Sequence, residues 1–216
     1  SRRVAHNGSF ERIKGATYLP LDITDSASVE TFVQAVWRQS YGIDALIVSS
    51  GVAPKPKLQG TQDPGAIVST VQTNLTGAMM LVNACIPKMR VRGKVVLLNS
   101  ILGHIPLMGN AAYCATKAGL HHFAESVGVE LKRAGRGVQV HSLYPAYVKT
   151  PMLDEVQDGG RTFLKPVEPE VVTRQIARIL DGKAREPDGF ILKRDKVIAG
   201  FYRYLPGPFK NLLSAM

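Results

Sequence analysis

The sequence predicts an α/β fold built on a single doubly wound parallel sheet, and three observations carry that reading. Short apolar runs alternate with stretches of helical periodicity along the chain. The central run, Lys94-Val-Val-Leu-Leu-Asn99, is continuously apolar, as a strand covered on both faces has to be. No internal repeat or low-complexity tract divides the 216 residues, a length suited to one domain (1–216) with a full core.

Ala16–Leu21 is a short strand candidate, placed at a sheet edge because Pro20 cannot donate to a ladder. Asp25-Ser-Ala-Ser caps a helix running to about Ser40, with Val29, Phe32, Val33 and Val36 as its apolar stripe. Asp44–Val48 is the next strand and ends in Ser49-Ser50-Gly51. From about Pro64 to Met89 the spacing of Ile67, Val71, Leu75, Met79, Val82 and Ile86 predicts one long helix. Asn74 lies in its middle, where asparagine competes for backbone hydrogen bonds. Either it faces solvent, or it marks a kink whose freed carbonyl binds a water or polar group.

After the central strand, Ser100 leaves at the carboxyl end, where open α/β sheets place their ligands. A glycine-punctuated loop leads to a helix over 111–134, ended by Gly135 and Gly137. Val138–Leu143 alternates as a strand, and Tyr144–Pro151 leaves its carboxyl end. Residues 151–166 read as a mobile lid. Glu168 opens a helix through Leu180, Gly189–Lys193 is a last strand, and 193–216 is a tail of mixed basic and apolar residues.

The composition, 45% hydrophobic and 20% charged, is that of an ordinary globular protein, and no apolar stretch is long enough to span a bilayer. Cys85 and Cys114 sit in helical patterns as core thiols, so a reduced, cytoplasmic compartment is the simplest expectation. The net charge of +10 raises nucleic-acid binding, but Lys55, Lys57, Lys88–Lys94 and Lys132–Arg136 are dispersed, with no aromatic-interleaved basic face. A field that attracts an anionic cofactor or anionic lipid explains the charge as well. No metal is expected, since the five histidines are scattered apart from His121-His122.

Tyr113 and Lys117 are four apart and share one helix face. A free tyrosine titrates near 10, and a nearby ammonium favours the phenolate. Such a tyrosine can give a proton to a carbonyl oxygen or take one from an alcohol, while the Ser100 hydroxyl orients the same oxygen. In isolation the pair is more simply a tyrosine packed under a solvated lysine, so the surrounding segments decide.

Those segments resemble the short-chain dehydrogenase/reductase family, a Rossmann-like fold, from Arg2 to about Leu192. Asp22-Ile23 is similar to the family's acidic residue near the adenine. Asp44-Ala-Leu-Ile-Val-Ser-Ser-Gly51 resembles the stretch normally ending Asn-Asn-Ala-Gly. Thr73-Asn74-Leu-Thr-Gly77 resembles the active-site asparagine segment, and Ser100, Tyr113 and Lys117 the catalytic set. Tyr144-Pro145-Ala-Tyr-Val148-Lys-Thr150-Pro-Met152 resembles the segment beside the nicotinamide.

The resemblance implies Tyr113 as acid/base and Ser100 as the group polarising the substrate oxygen. Lys117 would lower the tyrosine pKa and hold the ribose, and Asn74 would keep a relay water. Cofactor contacts would come from Arg2, Arg3, Asp22, Ile23, Ser50, Gly51, Tyr113, Lys117, Pro145, Val148 and Thr150. Arg2 and Arg3 favour NADP(H) over NAD(H), since the arginine fork suits a 2′-phosphate. Leu102, Leu107, Tyr147 and Met152 would touch substrate. With Ile101, Ile105, Met108, Tyr144 and Leu153 they make an apolar pocket, for a lipid-, steroid- or ketone-like molecule. The implied activity is interconversion of a carbonyl and a secondary alcohol. A homodimer or homotetramer through the 64–89 and 111–134 helices is implied, with His121 and His122 at an interface or on the free surface. The tail would lie on a membrane, over the pocket or at a subunit interface.

Two departures bear on this. Val48-Ser-Ser-Gly51 replaces the asparagine pair, which implies an adjusted site. The family's Gly-x-x-x-Gly-x-Gly loop would precede Ser1, so a longer parent protein is expected, and this stretch alone is not expected to fold as a stable monomer. The rival reading is a catalytically silent binding or regulatory protein that kept the fold.

Overall fold

The computed structural model describes residues 14–55, 61–156, 164–184 and 188–210. Among these, four strands form one parallel sheet in the order β1-β2-β3-β4: β1 Ile43–Val48, β2 Met89–Leu98, β3 Gln139–Tyr144 and β4 Asp188–Phe190. The register sets Val48 beside Leu97, Leu98 beside Leu143 and Tyr144 beside Phe190, so the carboxyl ends line up along one edge.

The continuous apolar run in β2 is explained by cover on both faces. Val95 and Leu97 point into a core shared with α1 (Ser26–Ser40), α3 (Ala78–Cys85) and α4 (Ala111–Arg133), through Val29, Val33, Val82, Leu120 and Ala124. Val96 and Leu98 point the other way, against Val172 and Ile179 of α6 (Pro169–Leu180). α1 has the bounds the sequence predicts, and the Asp25 carboxylate accepts from the amides of Ala27 and Ser28. Cys85 and Cys114 are free, buried core thiols.

Four expectations need correction. Ala16–Leu21 is not a strand; a strand exists through its ladder, Pro20 lacks a donor, and no described strand runs beside it. The helix expected over 64–89 is broken into α2 (Pro64–Val71), a π-helical turn (Gln72–Gly77), α3 and a 3-10 turn (Ile86–Lys88), and Met89 already belongs to β2. Pro87 removes an amide donor and closes the helix there. Of the expected stripe, Val82 is fully buried and Leu75 and Ile86 pack on the core, whereas Ile67 and Met79 are more than one-third exposed; Thr70, Asn74, Gly77, Leu81 and Cys85 also face inward. Finally, β4 stops at Phe190 and the tail turns at once into α7 (Lys193–Tyr202). The 151–166 lid begins as α5 (Pro151–Val156), while 157–163 lie outside the described residues.

Candidate active site

The strand ends deliver three loops to one edge of the sheet: Ser49–Gly51 after β1, Asn99–Gly103 after β2 and Pro145–Thr150 after β3. The Asn99 amide donates to Leu143 O, and the Ile101 amide to Pro145 O, which ties the second loop to the third. Ser100 is held extended and buried, and its Oγ accepts from the Leu102 amide. Gly103 then lets the loop lie on α4, since a Cβ there would stand 2.9 Å from the carbonyl carbon and oxygen of Lys117.

α4 brings the chemistry up from below. Tyr113, Lys117 and His121 repeat every four residues, and all three face the sheet's carboxyl ends. The Ser100 side chain lies close enough to the Tyr113 phenol to pull its pKa down. Lys117, 4% exposed, donates from Nζ to Leu98 O at 2.9 Å and lies 5.5 Å from the Tyr113 ring centroid. His121 Nδ1 is 2.6 Å from the hydroxyl of the fully buried Tyr144. The default of a tyrosine under a solvated lysine is therefore overturned: the lysine is the buried member of the pair.

Burial governs the electrostatics here. It pushes the Tyr113 phenol up to about 12, with the nearby Ser100 hydroxyl pulling the other way, and it pushes Lys117 down to about 8. Depression of the tyrosine by the ammonium is not what dominates, because Lys117 is buried and directs its bond at Leu98 O. At neutral pH the pair is a protonated phenol beside a mainly protonated amine.

Asn74 is 1% exposed, so the solvent-facing alternative fails. Its Oδ1 accepts from the Val52 amide at 2.7 Å and its Nδ2 donates to Val52 O at 2.8 Å, clamping the loop after β1. The π-helical turn around it is the local irregularity the sequence hinted at, a feature common at functional sites. Gly77 completes that turn's docking, since a Cβ there would meet Ile23 O at 2.6 Å.

The remaining expected residues divide in two. Ser50 is exposed, while Gly51, Pro145, Val148 and Thr150 are half-buried along the edge. Thr150 Oγ1 donates to Val148 O, and Val148 bridges to Val167. Asp22 is half-buried, and its Oδ1 accepts from the amide and hydroxyl of Thr24; Ile23 puts its side chain in the core. Arg2 and Arg3 lie outside the described residues. Leu102, Leu107, Tyr147 and Met152 are half-buried and Met108 is exposed, but Ile101, Ile105 and Tyr144 are packed inside, so the expected apolar wall is smaller than the sequence suggested.

Several participants escaped sequence reasoning. Gln62 Oε1 accepts from the Ala112 amide and Nε2 donates to Gly109 O, fixing the start of α4; nothing in its sequence context marks it. His104 packs edge-on against Tyr144 and His121, with Phe190 beside it. The fourfold spacing from Tyr113 through His121 was a signal available in advance. His122 and Glu125 are exposed, and Glu125 Oε2 stands 3.6 Å from His121 Nε2 and 3.5 Å from His122 Nδ1. Asn99 Nδ2 and Asn110 Nδ2, on residues adjoining Ser100 and opening α4, are buried donors with no partner among the described residues.

Comparison with known proteins shows the family and the fold. The model of the short chain dehydrogenase family matches residues 5–160. An uncharacterized oxidoreductase of Myxococcus xanthus is 33% identical over 150 residues, covering 64% of this chain and 55% of that protein. A 2,5-dichloro-2,5-cyclohexadiene-1,4-diol dehydrogenase (LinX) of Sphingobium indicum is 27% identical over 174 residues, 80% of this chain and 64% of that one. The chain thus spans between 55% and 64% of the length of these curated relatives. Among solved structures, a short chain dehydrogenase from Burkholderia cenocepacia in complex with NADP superposes with a TM-score of 0.72 at 20% identity, over 86% of this chain and 73% of that one. A 3-ketoacyl-(acyl-carrier-protein) reductase from Brucella melitensis complexed with NADH gives 0.68 at 20% identity, over 79% and 74%.

Proposed function

The chain belongs to the short-chain dehydrogenase family, and from that premise we propose that it is part of a nicotinamide-dependent oxidoreductase interconverting a carbonyl and a secondary alcohol. The observation that carries the reading is the gathering of Ser100, Tyr113 and the buried Lys117, whose Nζ lies 5.5 Å from the Tyr113 ring centroid, at the carboxyl edge of a parallel sheet. Three residues from a strand end and a helix converge there on one small volume, where a substrate oxygen can be held.

The residues present fit a nicotinamide nucleotide. Lys117 is a buried cation 5.5 Å from the Tyr113 ring centroid, and the unpartnered Asn99 and Asn110 amides are donors in need of an acceptor. Lys117 and Tyr113 would hold the ribose, Val148 and Thr150 the carboxamide, and Ser50 and Gly51 the face after β1. When bound, the nicotinamide supplies or accepts the hydride. Ser100 donates to the substrate oxygen and fixes its position. Tyr113, kept protonated by burial, gives its proton to that oxygen as the carbonyl becomes an alcohol. Lys117 stabilises the phenolate left behind, and Asn74 holds the loop after β1 in place.

The finer parts of the reading extend the sequence expectations. NADP(H) is the preferred cofactor, supported by an NADP complex among the structural neighbours and by Arg2 and Arg3. Half-buried Leu102, Leu107, Tyr147 and Met152 support a hydrophobic carbonyl substrate. Exposed Ile67, Val68 and Met79, with Val129 on α4, support a homo-oligomer through these helices. A cytoplasmic protein touching a membrane through its tail completes the proposal; among the described residues no helix is long and apolar enough to cross one.

Titration with NADPH and NADH, read by Trp37 and nicotinamide fluorescence, tests the class. Tighter NADPH binding followed by reduction of hydrophobic ketones is the expected result. The exposed Ser49 and Ser50, in place of the family's asparagine pair, favour the rival binding-protein reading. Failure of the folded protein to bind either nucleotide would establish that rival.

A further inference from the structure

The tail carries a surface that the active-site reading leaves unused. α7 turns Ile198, Ala199 and Tyr202 against Ile101 and Ile105, the loop that follows Ser100. Its Asp195 is buried beside Arg194, Nε to Oδ1 3.4 Å. The outward side carries Val197, Phe201 and Tyr204, which are 58%, 67% and 84% exposed, and Phe209 follows in the next turn at 58%. A step of four puts Val197 and Phe201 on one line of α7, and Tyr204 follows in the turn that closes the helix, its amide donating to Phe201 O. Lys193, Arg194, Lys196 and Arg203 are exposed around them, and Lys210 lies over Tyr202.

An exposed apolar line this close to the chemistry needs a partner, because water is a poor neighbour for it. The chemistry of its surround selects which. Residues 193–210 hold five basic side chains and one carboxylate, and that carboxylate is buried. A second copy of the same surface would bring like charges together around the aromatic line. A bilayer with anionic head groups meets both needs, taking aromatic side chains at its interface and pairing Lys and Arg with phosphate and carboxylate.

We propose that α7 and the turn through Lys210 form a docking surface for an anionic lipid bilayer, which sets the loop after Ser100 close to the membrane. This rests on the oxidoreductase reading for its purpose, delivery of an apolar substrate from the lipid phase, though the docking itself is independent of catalysis. The inward side of α7 explains the coupling: the helix that touches lipid packs directly on Ile101 and Ile105, which follow Ser100.

Co-sedimentation of the full-length protein with vesicles tests this, using phosphatidylcholine alone and an equimolar mixture with phosphatidylserine. Binding is expected only to the mixed vesicles, weakening as salt is raised. The variant Phe201→Ser/Tyr204→Ser should lose about tenfold or more of that binding, with its melting temperature and nucleotide affinity unchanged. Absence of binding to the mixed vesicles overturns the proposal, as does undiminished binding by the double variant. A change in association state in that variant, with vesicle binding intact, also overturns it in favour of a second copy. Reduction of a water-soluble ketone in the absence of vesicles reads the oxidoreductase proposal separately, so failure of one is distinguishable from failure of the other.

Discussion

Asn74, Ser100 and Lys117 are each no more than 4% exposed, whereas Ser49, Ser50 and Met108, on the same edge of the sheet, face solvent. The buried set is held by specific bonds to backbone: Asn74 to Val52, Lys117 to Leu98, Ser100 to Leu102. The solvent-facing set owes its position to where the strands end. Groups that move a proton need a fixed distance and a dry surround, while groups that recognise a ligand need access. The two regions should therefore respond to mutation in opposite ways, the first through rate and stability together, the second through affinity alone.

The largest expected effect is at Tyr113. Replacement by Phe removes the proton donor and leaves the ring packing, so ketone reduction should fall by about 10²–10⁴-fold with nucleotide affinity nearly intact. Steady-state kinetics beside fluorescence titration checks this, and unchanged turnover removes Tyr113 from the chemistry.

A pH experiment sharpens the same contrast through Lys117. Its folded value is pushed down to about 8, below the roughly 10.4 of an unfolded lysine. Between those values the unfolded chain binds the extra proton, so this residue's contribution to stability rises with pH across the window. The full gain is about 3 kcal/mol at most. Tyr113 works in the opposite sense above about 10, where its folded form keeps a proton that the unfolded chain loses. Denaturant midpoints from pH 7 to 10, compared with Lys117→Met, should show the rise in the wild type and lose it in the variant.

Asn74→Ala breaks two bonds to Val52 and leaves both backbone groups to find new partners. A loss of about 2–3 kcal/mol is expected in urea denaturation, with turnover reduced as well. Gly103→Ala puts a Cβ against the Lys117 carbonyl and should cost about 1–3 kcal/mol. Ser50→Ala marks the other extreme, with a stability change within about 0.5 kcal/mol. A large stability loss at Ser50 would break the contrast between the two regions.

The parallel α/β class, the N-cap at Asp25, the strand ending at Val48 and the helix holding Tyr113 and Lys117 were legible because local signals agreed: period, capping residues and glycine stops. The helix over 64–89 was misread where those signals conflicted, since Asn74 and Pro87 interrupt an apolar pattern that otherwise continues. The strand at Ala16–Leu21 was misread because pairing depends on a neighbour, and no composition of six residues supplies one. Ile101, Ile105 and Tyr144 read as pocket because apolar residues in a loop look alike whether they line a cavity or fill a core.

By itself, then, the chain determined its periodicities, and with them the order of elements and the delivery of Ser100, Tyr113 and Lys117 to one edge. Only the tertiary structure decided that Lys117 is dry, that Asn74 clamps Val52, that His121 reaches Tyr144 and that α7 folds back onto Ile101 and Ile105. The physical reason is that burial and hydrogen-bond partners are set by segments 19 to 23 residues or more away along the chain, and local sequence carries no record of that distance.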